Sequence, residues 1–322
     1  MLKFGIILAV VAVFHGAQAE RQYRLFTVAN RQAPVNMSRT DSFLPNEFNQ
    51  ENKTIILIHG HGGGVGHEFN TLTIREIFEF QGAFNVIVVD WENEARHSYS
   101  TAVSYVPYVA NELSGFIRWL VAHGNSDGSG GSGSEENYTT PDGPENDLNR
   151  TTVSPGVDVS KLHLVGFGLG AHIAGIASRQ LRLSLGVVGR ISGLDPSGSS
   201  WGSSSERLRN TDAHYVEVLH TDGSGPNAYG IGTSLGHKDI HANGGSNQPG
   251  CFGHSCSHNR AYELFAASMH GHLSAPSCRS STQLNFGSCR GTPVIVGGTD
   301  LTKPGYETLY KLSTGRRYPF QD

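Results

Sequence analysis

Cysteine is absent from the first 250 residues; all four, Cys251, Cys256, Cys278 and Cys289, come late. Their spacings fit none of the usual zinc-finger ligand patterns. Charge is sparse: 16% of residues are charged, with 24 Lys plus Arg against 28 Asp plus Glu, dispersed along the chain. That excludes the basic stripe of a protein built to hold nucleic acid or an anionic membrane surface. Beyond Phe14 no apolar run approaches the roughly 20 residues that cross a bilayer, so no transmembrane segment is expected. No internal repeat is present.

What is present begins with a leader. Met1-Leu2-Lys3 is a short basic start, Phe4 to Phe14 is apolar, and Ala17-Gln18-Ala19 is a small-residue cleavage site. This pattern predicts a secretory signal peptide over 1–19 and a soluble, extracellular mature chain over 20–322, long enough for one large domain. In such a chain four cysteines predict two disulfides, with three connectivities open. The expected pairing is the sequence-local one, Cys251 with Cys256 and Cys278 with Cys289. Sequons at Asn36, Asn52, Asn137 and Asn149 are glycosylation candidates on surface loops. Asn137 and Asn149 fall in a Gly/Ser-rich insert over 124–156 with almost no large apolar residues, which predicts a disordered loop. Closing such a loop costs little, because loop entropy grows slowly with length.

The remaining sequence alternates two patterns. Tyr23 to Val28 alternates as a short strand, and a polar loop is expected from there to Lys53. Thr54–Ile58, the run from Asn85 to Asp90, Leu162–Val165 and Val187–Leu194 are apolar runs of the kind buried on both sheet faces. Ala213–His220 reads as a further strand. Phe69–Phe80, Ala102–His123, Leu169–Leu183 and Cys256 to Met269 have helical spacing, and two short strand-like runs lie near Val294 and Tyr310. Strands separated by helices predict an α/β fold with a mostly parallel central sheet and helices on both faces.

The chemistry centres on LHLVGFGLGAHIAG, residues 162–175. A strand, a tight Gly-rich turn and a helix lined with small residues form the frame of a nucleophile elbow, G-x-S-x-G. Gly168 stands where the serine belongs. A dinucleotide loop is the competing reading, but that pattern needs G-x-G-x-x-G after the first strand of its domain. Thr54–Ile58 runs into His59-Gly60-His61-Gly62-Gly63, where such a fold places half of an oxyanion hole. His59 and His61 alone make a poor metal-ligand pair. Asp90, Asp195 and His258 complete the polar residues near strand ends and helix starts, in the order nucleophile position, acid, His.

The segments TIILIHGHGG, VIVVDW, KLHLVGFGLGAHIAG, ISGLDPSG, YVEVLHTDG, GHKDIHANGGSNQPGC and CSHNRAYELF resemble the pancreatic-type neutral lipase family of the α/β-hydrolase superfamily. That family also includes phospholipases A1 and non-enzymatic insect yolk proteins. The resemblance covers nearly all of the mature chain apart from the insert. It implies an α/β-hydrolase fold with Asp195 as triad acid, His258 as triad base, Gly168 as the lost nucleophile, and Leu169 and His61 as oxyanion amides. Between Cys251 and Cys256 only Phe252 to Ser255 remain where the family carries a lid, as in phospholipase A1-type members. Arg209 replaces a carboxylate in the family's calcium-binding segment, so no metal and no cofactor is expected. No β-sandwich module is expected after the lipase-like domain.

The resulting expectation is a secreted lipase-family protein that has lost hydrolysis and binds lipid, a hydrophobic ester or a protein partner. The alternative is a carboxyl-ester hydrolase working by a compensating route, through a His-activated water or through Ser255 or Ser257. A storage protein without a ligand would instead have its acyl pocket filled by side chains.

Overall fold

The computed structural model describes residues 21–123 and 157–321. The leader over 1–19 and the insert over 124–156, with Asn137 and Asn149, lie outside the described residues. In chain order the elements are β1 (Tyr23–Phe26), β2 (Val35–Met37), β3 (Lys53–Ile58), α1 (Glu68–Phe80), β4 (Phe84–Val89), α2 (Glu92–Ala95), α3 (Tyr99–His123), β5 (His163–Phe167), α4 (Leu169–Leu181), β6 (Arg190–Leu194), β7 (Tyr215–His220), β8 (Lys238–Ala242), α5 (His254–Ala267), β9 (Ser274–Cys278), α6 (Ser281–Phe286), β10 (Pro293–Ile295) and β11 (Leu309–Leu312). The strands form one sheet in the order β10-β9-β11-β8-β7-β6-β5-β3-β4-β1-β2. From β4 to β11 every pairing is parallel, and antiparallel pairs occupy both edges. This is the α/β-hydrolase architecture.

The continuous apolar strands follow from their two-sided burial. In β3, Ile55 and Leu57 join the cluster that holds Phe69 and Ile77 of α1 and Tyr262 and Phe265 of α5. Ile56 and Ile58 point the other way, into the cluster with Val106, Leu113 and Ile117 of α3 and Ile173 of α4. Successive side chains on a strand face opposite sides, so helices on both faces demand apolar residues at every position. Helix α4 packs especially close. A Cβ at Gly170 would lie 2.0 Å from the Ile58 carbonyl oxygen, and one at Gly166 would lie 2.3 Å from the Gly170 carbonyl oxygen. Only glycine permits this approach of helix to strands.

Strand order reverses at β3, which has β4 on one side and β5 on the other. In open parallel sheets ligands bind beyond the carboxyl ends at such a switch point. His59 to His61 leave β3 there, and Gly168 leaves β5.

Several elements depart from the expectation drawn above. The segment expected as polar loop contains β2, and Asn36 sits on that exposed edge strand rather than on a loop. Asn52 is half-buried just before β3. Strand β8 is fully buried although it reads Lys-Asp-Ile-His-Ala. Its charges are matched internally: the Lys238 ammonium donates to the Tyr310 hydroxyl at 2.9 Å, and Asp239 accepts from His220 at 2.9 Å. Strand β9 carries Pro276, paired in register with Pro293 of β10 near the sheet edge. The cysteines pair as Cys251–Cys256 and Cys278–Cys289, the sequence-local connectivity.

At the amino ends of β6 and β7 a charged cluster is buried. Glu217 accepts from Lys303 at 2.7 Å, Arg190 at 3.2 Å, Tyr215 at 2.6 Å and the Gly297 N–H at 2.7 Å. Arg190 also donates to the Asp300 carbonyl, so the cluster ties residues 297–303 to the sheet. Burial alone would raise the Glu217 carboxyl, but Lys303 and Arg190 outweigh it and hold it below its ordinary value. Its contribution is therefore complete above the unfolded carboxyl value and is lost as pH falls through the lower folded one. Removing one member of a buried ionic cluster strands the others. Glu217→Ala is expected to lower stability by about 3–5 kcal/mol in urea unfolding near neutral pH. The difference from the parent should shrink in acid.

Candidate ligand site at the degenerate elbow

Gly168 alone makes the turn between β5 and α4, at φ 56° and ψ −115°. L side chains rarely adopt such a backbone, and glycine does so without strain. The turn is tied down on both sides. Its N–H donates to the Leu194 carbonyl at 3.0 Å, and its carbonyl accepts from the Ser197 N–H at 3.3 Å. A Cβ built on residue 168 would lie 3.1 Å from His258 Nε2 and 3.4 Å from Ser197 Oγ. Position 168 thus aims any side chain directly at His258.

His258 is brought to this point by the amino end of α5. Its Nδ1 donates to Asp195 at 2.6 Å. Asp195 follows β6 and is fully buried, and it also accepts from the backbone N–H groups of Thr221 at 2.8 Å and Asp222 at 3.0 Å. Three N–H donors replace water around the carboxylate, which removes the cost of burying it unpaired. With Nδ1–H committed to a carboxylate, the neutral ring leaves Nε2 as an acceptor facing Gly168. The packing admits nothing else here: a Cβ at Gly230 would fall 2.4 Å from the Asp195 carboxylate.

Beside His258 opens a cavity of about 600 Å³. Phe167, Pro226, Ala228 and Tyr229 give it apolar walls, and His61, His67, Tyr99, Ser197 and Ser255 add polar edges. Phe167 and Tyr229 flank the His258 ring at 4.5 and 5.6 Å between centroids. The volume lies within the range of about 300–1,000 Å³ typical of small-ligand sites. This cavity is not filled by side chains, whereas a storage protein without a ligand is expected to have its pocket filled.

The other residues singled out in the sequence divide. His61 lines the cavity, and its Nε2 bonds to the His97 carbonyl at 2.8 Å. His59 is fully buried and stacks on Trp91, and burial lowers it to about 4. The two histidines are therefore not a ligand pair. Asp90 is taken by Arg24 at 3.1 Å and does not join the site. Leu169 opens α4, so its N–H is among those without an intrahelical acceptor, and the cap residue Gly168 supplies no side chain to meet them. Ser257 is buried and its Oγ accepts from the Gln248 N–H, whereas Ser255 is exposed on the cavity rim. In the calcium-like segment, Arg179 bonds to Asp212 at 2.7 Å and the Arg209 guanidinium lies 3.9 Å from the same carboxyl. Among the described residues no grouping of three His, Cys, Asp or Glu side chains could hold a metal ion.

Sequence reasoning missed two groups at the site. Ser197 is buried at the elbow, and the GLDPSG pattern after β6 was the available signal. A second His–Asp pair, His254 and Asp222 at 2.7 Å, stands one helical turn before His258. Asp222 also accepts from the Tyr229 N–H at 2.8 Å and thereby holds the wall of the cavity. Nothing in local sequence links a loop aspartate to a histidine 32 positions later.

The Lipase family model matches residues 11–128 and 147–295. Lipoprotein lipase of Rattus norvegicus is 32% identical over 252 residues, which is 71% of this chain and 46% of that protein. Lipoprotein lipase of Homo sapiens is 31% identical over 245 residues, 69% of this chain and 44% of that protein. The chain thus spans about half the length of these curated relatives. A solved α/β serine hydrolase from Xanthomonas campestris, described as lacking a lid, shares 14% identity at a TM-score of 0.32, covering 62% of this chain and 70% of that one.

A side chain at position 168 must accept positive φ and press on His258. Gly168→Ala is expected to cost about 1–3 kcal/mol in urea unfolding, the usual strain of a non-glycine residue in such a region.

Proposed function

The chain belongs to the pancreatic-type lipase family of the α/β-hydrolase superfamily, and we propose that it binds a lipid or hydrophobic ester in the cavity beside His258 without hydrolysing it. The observation that carries this reading is the geometry at Gly168. The one position whose side chain would face His258 Nε2 has no side chain. In the serine chemistry, His takes the hydroxyl proton as the oxygen attacks the ester carbonyl, and Asp holds the imidazole in its tautomer and orientation. Asp195 and His258 are the retained acid and base in this proposal. Leu169 and His61 supply the amides that would meet a developing oxyanion. Without an Oγ no acyl-enzyme forms, and loss of the serine from a comparable triad costs roughly 10⁶ in kcat. The leader pattern supports a secreted protein, and the apolar walls of the cavity support a lipidic ligand.

One observation favours a second reading as a carboxyl-ester hydrolase. His258 Nε2 faces an open cavity with its Asp195 partner in place, so it could take a proton from water. Water attacks less readily than a placed hydroxyl, because it must be positioned at the moment of reaction.

The protein as it stands is expected to take no label from an organophosphonate serine probe and to leave p-nitrophenyl butyrate unhydrolysed. Gly168→Ser restores the missing oxygen, with His258 giving way by a few tenths of an ångström. It is expected to take the label and to raise hydrolysis by at least about 10²-fold over the parent. Stoichiometric labelling of the parent, or turnover by the parent at the variant's rate, overturns the binding-only reading.

A further inference from the structure

Loss of the side chain at 168 does more than remove a nucleophile; it leaves two polar groups aimed at one point. His258 Nε2 lies 3.1 Å and Ser197 Oγ 3.4 Å from the place a Cβ would occupy. Both groups are held firmly. His258 is fixed through Asp195. Ser197 is fixed at its backbone: its N–H donates to Gly168, and its carbonyl accepts from His172 Nε2 at 2.9 Å. His172 in turn accepts the Leu208 N–H on Nδ1 at 3.1 Å and stacks on Trp201 at 4.1 Å. An oxygen at that point is within hydrogen-bond reach of Nε2 and close to it for the serine hydroxyl.

We propose that the cavity prefers a free medium- or long-chain carboxylic acid to the corresponding ester, with one carboxylate oxygen in the place of the absent residue 168 side chain. The proposal rests on the reading of this cavity as a ligand site. An ester has one bare and uncharged oxygen, its carbonyl, and the alkyl group on its other oxygen would compete for space with His258 and Ser197. A carboxylate brings two bare oxygens. The second lies toward the first turn of α4, thirteen residues long, whose N–H groups have no side-chain cap and whose dipole favours an anion. Phe167, Tyr229, Pro226 and Ala228 receive the hydrocarbon tail.

The charge balance is specific. His258 Nδ1–H is committed to Asp195, so Nε2 donates to the ligand only when the ring takes a proton from solvent. In the bound state His258 lies between two carboxylates, Asp195 at Nδ1 and the ligand at Nε2. The other titratable groups around the ring are Tyr229 at its edge, His61 and His67 in the cavity lining, Tyr99 beside the Ser197 hydroxyl, and Asp222, which is paired with His254 and whose N–H donates to Asp195.

Isothermal titration calorimetry of the full chain with decanoate, methyl decanoate and decanol tests this. Decanoate is expected to bind about tenfold or more tighter than its methyl ester, the worth of one charge-assisted hydrogen bond. His258→Gln and Gly168→Ser should each abolish the preference, and Ser197→Ala, which keeps the imidazole, should lower it. Equal affinity for acid and ester overturns the carboxylate inference and leaves the binding function standing. No binding of any of the three overturns the binding function itself. A preference that survives all three substitutions places the acid elsewhere and overturns the inference.

Discussion

Residue 168 is held by its neighbours before it is anything else. Strand β5 and helix α4 meet at an angle that a single residue at φ 56° must close. The carbonyls and N–H groups of Leu194 and Ser197 hold that residue in register with β6. The same turn sets where α4 starts, and thereby how closely its glycines approach β3. The elbow is thus a property of the fold, sustained by backbone hydrogen bonds and by small residues. None of these bonds involves a side chain of residue 168, so the turn stands with glycine at its apex.

The two ends of the sheet use buried charge differently. At the amino ends, Arg190 and Lys303 surround the buried Glu217 and pin a distant segment. At the carboxyl ends, Asp195 is equally buried, but its partner His258 keeps one nitrogen open to a cavity. A closed cluster can only stabilise. An open one can also meet a ligand.

Much of this was legible in the sequence because the signals were local and strong. Continuous apolar runs marked β3 to β6, and small residues after Gly168 marked the close packing of α4. Order along the chain suggested Asp195 and His258 as partners, and the structure brings them within hydrogen-bond distance. The failures were physical as well. Strand β8 drew no assignment from the sequence because Lys238 and Asp239 find their partners on other strands, which no local window reveals. Strand β9 was hidden by Pro276, and β2 by its three-residue length. Ser197 and Asp222 became visible only when loops after different strands were seen to converge on one helix.

The bonds around Asp195 carry a lesson for reading relatives of this chain. Its carboxylate completes the backbone of the loop at Thr221 and Asp222 as well as orienting His258. Folding alone therefore gives a reason to keep an aspartate there, and with it the histidine it holds, whatever chemistry the site performs. In any homologous sequence, finding this pair intact reports an intact scaffold. The residue at the apex of the turn is the separate position to read, because no bond of this scaffold depends on its side chain.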